Sequence, residues 1–283
     1  MKIAIVTDST CDLPQNVIQE LNITVIPLFI NVGNKGYLDG VDLTRKDFYT
    51  NLPNYLTHPT TGTPSTDIFT KTYDSLATRG FTEILSVHIS ETLSATVNVA
   101  RAAAREFTRI PVTVWDARQL SLGTGFQVEA AARLAALGKS MQEILSALQD
   151  LMSRTFVAAR LDTLDYLRRS GRMNAIIAGL GSLLQLKPIL TMKNGRADSE
   201  RVRTTAKAES RLVEMLQKHQ PIERFALLHT NVPEKAEEFF NRVSHLIPSG
   251  KSYSVDITPV IGAHIGPGAV GYAIVTKSLL KQS

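Results

Sequence analysis

Apolar positions recur along this chain in two alternating rhythms. Lys2–Thr7 is a short apolar run that stops at Asp8-Ser9-Thr10-Cys11-Asp12-Leu13-Pro14, and the amphipathic Gln15–Leu21 follows, which predicts strand, turn and helix. Ile23–Ile30 reads as a second strand leading into Asn31–Tyr37, whose Gly and Asn residues allow the positive φ angles of a hairpin. Thr44 is placed to cap a helix running through Leu52. After a polar loop at Thr57–Ser65 come a helix from near Thr66, a strand at Glu83–His88, an Ala-rich helix at Ser94–Phe107, a strand at Val112–Trp115 and a helix at Gly125–Leu137. Strands alternating with helices argue for a parallel sheet covered on both faces.

Beyond Asp150 the pattern changes. Leu161–Arg169 is helical, Ala175–Leu186 is an apolar stretch broken by glycines, and Lys187–Met192 and Arg196–Arg203 pair as strands around Asn194-Gly195, a dipeptide suited to a two-residue hairpin turn. Helices at Ala206–His219 and Glu234–His245 and strands at Phe225–His229, Tyr253–Ile257 and Ala269–Val275 complete the chain. A length of 283 residues suits two cores better than one. The expected fold is α/β in two domains: an N-terminal parallel-sheet α/β/α sandwich over residues 1–153 and a C-terminal α+β domain with a mixed sheet over residues 154–283.

Composition narrows the function classes. The apolar fraction is 43% and the charged fraction 20%, ordinary for a folded protein. Cys11 is the one cysteine, so neither an internal disulfide nor a cysteine-rich zinc cluster can form. The N-terminal apolar run is too short for a secretory signal, and no segment reaches the ~18 apolar residues of a membrane span, which places the expected protein in the cytoplasm. A net charge of +5, with basic and acidic residues interspersed, lacks the basic stripe of a nucleic-acid binder. The six histidines are scattered without metal-ligand spacing, and neither a phosphate loop nor a Gly-x-Gly-x-x-Gly fingerprint follows the first strand. No metal and no cofactor is expected.

In a doubly wound sheet, ligands gather at the carboxyl ends of strands, so the loops Asp8–Asp12, Thr60–Ser65, Ser90–Thr96, Asp116–Gly125 and Gly262–Gly268 are the candidate chemistry. Ser94 stands at or near a helix start, where a hydroxyl and free N–H groups receive an anion or merely cap the helix. Thr61 and Thr63 offer hydroxyls on a loop held by Pro64, or simply face solvent. Gly171 would end the helix before it and let Arg172 turn its guanidinium to a carboxylate or phosphate, or to the helix carbonyls. Arg168, Arg169, Arg201 and Arg203 would widen that basic edge. His264, between Gly262 and Gly266-Pro267-Gly268, suggests backbone packed closely against something. It is either a donor to a ligand or a satisfied structural histidine.

Taken in order, Asp8–Leu13, Thr61-Gly62-Thr63-Pro64-Ser65, Ile89–Ala100, Leu164–Met173 with its Ser170-Gly171-Arg172, Lys187-Pro188-Ile189-Leu190, Val202-Arg203 and His264–Gly268 resemble the DegV family across essentially the whole chain. The resemblance implies a fatty acid buried between two domains and delivered to a fatty acid kinase that makes acyl phosphate. Carried over, it implies head-group ligands Thr61, Ser94, Arg172 and His264, with Thr63 and Gly266 as ligand-binding neighbours and Arg203 near the phosphorylated end. Gly62-Thr63 departs from the family's usual Ser-Gln, Ala95 from its glycine, and Ala117 from its serine. Those ligands suit binding and lack the metal and base that phosphoryl transfer demands, so the chain is expected to be no enzyme itself. Its expected partners are the long-chain fatty acid, the kinase and, transiently, a membrane for lipid exchange. Two other readings stay open: an acyl hydrolase with Ser94 as nucleophile and His264 as base, though without Gly-x-Ser-x-Gly, and a binder of a small triose-like carbonyl compound held by His264.

Overall fold

The computed structural model describes residues 2–173, 186–250 and 252–278. The chain opens with β1 (Ile3–Asp8), α1 (Gln15–Glu20) and β2 (Thr24–Ile26), then makes an excursion through β3 (Phe29–Val32), β4 (Lys35–Leu38), α2 (Arg45–Asn51) and β5 (Thr60–Gly62). It returns through α3 (Thr66–Thr78), β6 (Glu83–His88), α4 (Thr96–Glu106), β7 (Val112–Asp116), α5 (Leu122–Ala136) and α6 (Met141–Arg154). Strands β2-β1-β6-β7 form an all-parallel sheet in that order. Ala4, Val6 and Ile84 pack one face against Phe69 and Tyr73 of α3 and Ala100 of α4, whereas Ile5, Leu85 and Val87 turn to Phe126 of α5 and Leu148 of α6. The expected α/β/α sandwich is formed.

The second half holds β8 (Thr155–Arg160), α7 (Asp165–Arg169), β9 (Ile189–Lys193), β10 (Arg196–Glu200), α8 (Thr205–Lys218), β11 (Ile222–His229), α9 (Pro233–Val243), β12 (Tyr253–Asp256), α10 (Pro259–Ile265) and β13 (Val270–Thr276). Its six-stranded sheet runs β10-β9-β8-β13-β11-β12, antiparallel except between β11 and β12. Helices α8 and α9 cover one face through Leu212, Leu216 and Phe239. The opposite face, with Val157, Ala226, Leu228 and Ala273, joins the same buried cluster as β1 and α5 of the first domain.

Three sequence expectations are corrected. Ile23–Ile30 is not one strand: Pro27, which has no N–H to donate, divides it, so β2 stays in the parallel sheet while β3 starts a separate antiparallel sheet β4-β3-β5. The segment Thr57–Ser65 is not all loop, because Thr60–Gly62 is β5. The stretch around His264 is not a loop following a strand but helix α10. The sequence reading also passed over α6 and β8, although Ser140 and Glu143 form a capping box at the start of α6. Asn194-Gly195 makes the expected tight turn, with φ of +49° and +80°.

Candidate functional site

In the parallel sheet, the chain leaves β1 toward β2 on one side and reaches β6 on the other, so the loops after β1 and β6 diverge and leave a crevice. Asp8 holds those loops together. Its carboxylate accepts from the Thr10 N–H at 3.0 Å, from the Ile89 N–H at 3.2 Å and from His88 Nδ1 at 2.9 Å. Burial works against its charge, but the His88 contact and these donors outweigh it and keep the carboxyl below its usual range. Thr10, Ile89, Leu93, Ser94 and Leu120 from this side then face Ile261 and His264 of α10 across a cavity of about 150 Å³.

The small sheet and α2 close the site from a third direction. Leu28, Ile30, Phe48, Tyr49 and Leu52 form their own core with Val260 and Ala263, so α10 is gripped by the excursion. Tyr49 Oη donates to the Ile257 carbonyl at 2.8 Å, and a Cβ on Gly262 would overlap the Tyr49 ring, which explains glycine there. At the helix start, the Thr258 N–H donates to Asp12 at 2.9 Å and its hydroxyl to Asp39. Asp12 also accepts from Ser121 Oγ at 2.6 Å and pairs with Arg45 at 3.0 Å. Burial raises the Asp12 carboxyl to about 6 even with Arg45 beside it.

Held this way, His264 meets Thr61 on β5, with Nε2 and Oγ1 3.0 Å apart. Its Nδ1 is buried and makes no hydrogen bond among the described residues. Burial first, then the charges of Arg172 and His58, lower its pKa to about 4. The imidazole is therefore neutral at physiological pH in the free protein, beside an exposed guanidinium. Such a mouth attracts one negative charge and satisfies it through hydroxyls and the Arg172 guanidinium.

A second cavity, of about 60 Å³, shares Leu93, Leu120, Ile261 and Ile265 with the first and continues along β8, β9 and β11. Its wall is apolar almost throughout, with Val157, Leu161, Leu190, Met192 and Leu228 among its residues. A cavity with polar groups thus lies against a greasy one, the two sharing four wall residues. Such an arrangement fits an amphiphile with a single anionic head.

The structure brings together Thr61, Thr63, Ser94, Arg172 and His264 around the first cavity. Arg203 is exposed and stands outside that set, and Gly266 serves α10 as its terminal residue, its N–H donating to the Gly262 carbonyl at 2.8 Å and its backbone packed on Tyr166. Ser94 is not the cap of α4, a position held by Ala95, but its Oγ accepts from the Thr96 N–H at 3.3 Å and lies 2.8 Å from Thr96 Oγ1. With Ser94 joined to Thr96 and His264 to Thr61, the pairing that a serine hydrolase needs is not assembled. Sequence reasoning missed Asp12, Arg45 and Tyr49 as supports of α10, since their partners are remote in the chain. The apolar stretch Ala175–Leu186 lies, apart from Leu186, outside the described residues. Among those described, no group of three potential metal ligands is found, and no helix is long and apolar enough to cross a membrane.

Comparison with known proteins matches the DegV family model to residues 2–277. A DegV domain-containing protein of Deinococcus radiodurans is 36% identical, covering 97% of this chain and 98% of its own. One of Streptomyces coelicolor is 34% identical over 97% and 99%. Among solved structures, DegV of Bacillus subtilis, described as a fatty acid binding protein, superposes with a TM-score of 0.89 at 31% identity, covering 98% of this chain and 100% of its own. A DegV family protein of Thermus thermophilus, described by its fatty acid binding, gives 0.86 at 32% over the same shares.

Proposed function

From the premise that this chain belongs to the DegV family, we propose that it carries one long-chain fatty acid between its two domains, 1–153 and 154–283, and presents the carboxylate to a fatty acid kinase for conversion to acyl phosphate. The observation that carries the reading is the adjacency of two cavities: a mouth with the polar groups of Thr61, Ser94, Arg172 and His264, and an apolar cavity that shares Leu93, Leu120, Ile261 and Ile265 with it. Thr63 lines the mouth beside them, and Gly266 fixes the end of the helix that bears His264.

Energetics divide the labour. A palmitate-sized tail has ~14 methylenes, which at ~0.8 kcal/mol each gives roughly 11 kcal/mol of gross burial before the costs of association and ordering. The tail therefore supplies affinity and the mouth supplies direction. Support for the kinase comes from the family resemblance and from Arg172, which is exposed at the mouth, so that the carboxylate faces outward. Arg203, exposed on the same basic side of the sequence, would act on the partner-facing end rather than grip the free acid. The protein supplies the substrate and the partner the phosphoryl chemistry. Work in the cytoplasm, with brief membrane visits to exchange lipid, follows from that role.

Native mass spectrometry of purified protein tests the reading: a fatty acid, a triose adduct and an empty protein differ plainly in mass. Arg172→Ala and His264→Ala should each lower phosphorylation by the kinase at least tenfold while lipid retention falls less than threefold. Loss of all lipid from either variant, with the fold intact, would refute the division of labour.

A further inference from the structure

The apolar cavity is lined on one side by an edge hairpin whose residues do not line the mouth, and strand register fixes which of its side chains share a row. Val157 of β8 pairs with Met192 of β9, and Met192 pairs with Ala197 of β10, so the three form one row on one face of the sheet. Ala159 and Leu190 form the row before it. All five line the apolar cavity, as does Leu161, the residue that follows β8.

Leu161 lines the apolar cavity at the end of β8 from which the chain departs toward the head-group segment. From there the chain goes on to the segment bearing Arg172, and β13, which follows α10 and its His264, begins at Val270 opposite Arg160. Val157 sits opposite Ala273, deeper along the sheet. Four residues of strand separate Leu161 from Val157, or ~13 Å. An extended alkyl chain covers that distance in about ten carbons, given C–C bonds near 1.5 Å.

The hairpin is also pinned at its tip. The Gly195 N–H donates to the Arg118 carbonyl at 2.9 Å, Thr92 Oγ1 donates to the Gly195 carbonyl at 3.0 Å, and the aliphatic stem of Arg118 lies against Gly195. Gln119 Nε2 donates to the Met192 carbonyl at 3.4 Å. Thr92 and Gln119 immediately precede Leu93 and Leu120, which line both cavities, so the far wall is referenced to the same loops that line the mouth.

We infer that the β9–β10 hairpin gauges acyl-chain length, with the Val157–Met192–Ala197 row as its end stop and Ala197 as the position that decides where the chain terminates. The inference rests on the lipid-carrying reading above and adds the determinant of which acid is carried. Ala197 is the smallest member of the row and is half-buried on an edge strand, so its size changes the cavity with little strain on the core.

The test loads delipidated full-length protein with an equimolar mixture of dodecanoic, tetradecanoic, hexadecanoic and octadecanoic acids and weighs the complexes by native mass spectrometry. Ala197→Leu, with Ala197→Val as a milder step, should shorten the preferred acid by roughly three carbons, the number the leucine adds. Met192→Ala should lengthen it, and Thr92→Val, which removes one of the two hydrogen bonds at the hairpin tip, should broaden the distribution. Melting curves verify that each variant is folded. Wild-type protein that loads acids, together with Ala197→Leu and Met192→Ala proteins that keep its length distribution, would overturn the inference alone. A wild-type protein that loads no acid would overturn the lipid-carrying reading and the inference with it.

Discussion

Burial, reinforced by the charges of Arg172 and His58, holds His264 uncharged until the pH falls to about 4. A carboxylate placed beside Thr61 and His264 would reverse that balance, because an opposite charge favours the imidazolium. Fatty acid binding near pH 5.5 should therefore take up more protons in the wild type than in His264→Gln, the difference approaching one once the proton released by the acid itself cancels, as read by calorimetry in buffers of different ionisation heat. The same group shapes stability. An unfolded histidine titrates near 6.5, so between 6.5 and about 4 the unfolded chain binds a proton that the folded one refuses. Acidification through that window should cost the wild type roughly 2 kcal/mol more than His264→Gln in urea denaturation. Runs of hydroxyls, glycines and basic residues marked the segments that bear Thr61, Ser94, Arg172 and His264 as candidates, and the family resemblance singled out those four side chains, which the fold gathers around one cavity. Tyr49 was not: its partner Ile257 lies 208 positions away, and nothing near it in the chain marks it.

At the scale of elements, α10 is a short helix whose placement is imposed from outside. Its seven residues cannot sustain a helix alone, and Tyr49, Asp12 and the small core beneath it supply what the helix lacks. Gly262→Ala should force the helix from the Tyr49 ring, costing roughly 1–3 kcal/mol in unfolding free energy and weakening lipid retention. Tyr49→Phe removes one hydrogen bond and should cost about 1 kcal/mol. Most elements were readable from period alone: Glu83–His88 is a strand over the range expected, and Asn194-Gly195 marked its hairpin directly. The excursion was misread because Pro27, the one break between β2 and β3, was passed over, and which sheet receives each strand is a choice made by tertiary pairing.

Across the whole molecule, two buried groups pull stability in opposite directions with pH. Asp12 binds its proton more tightly folded than unfolded, so its contribution is full below its ordinary 3.8 and is lost as pH rises toward about 6. His264 does the reverse over nearly the same span. The wild-type profile should consequently look flatter between pH 4 and 6 than that of Asp12→Asn, in which the His264 trend is opposed less; denaturant midpoints at several pH values check this. The largest buried cluster has a consequence of its own, since Ile5 and Leu85 of one sheet share it with Val157, Leu228 and Val275 of the other. Each such side chain wetted costs about 1.5–3 kcal/mol. Parting the halves like a clamshell would wet many at once, so a cargo of the kind proposed above would pass through a local breach in the wall while the body of the protein stays shut.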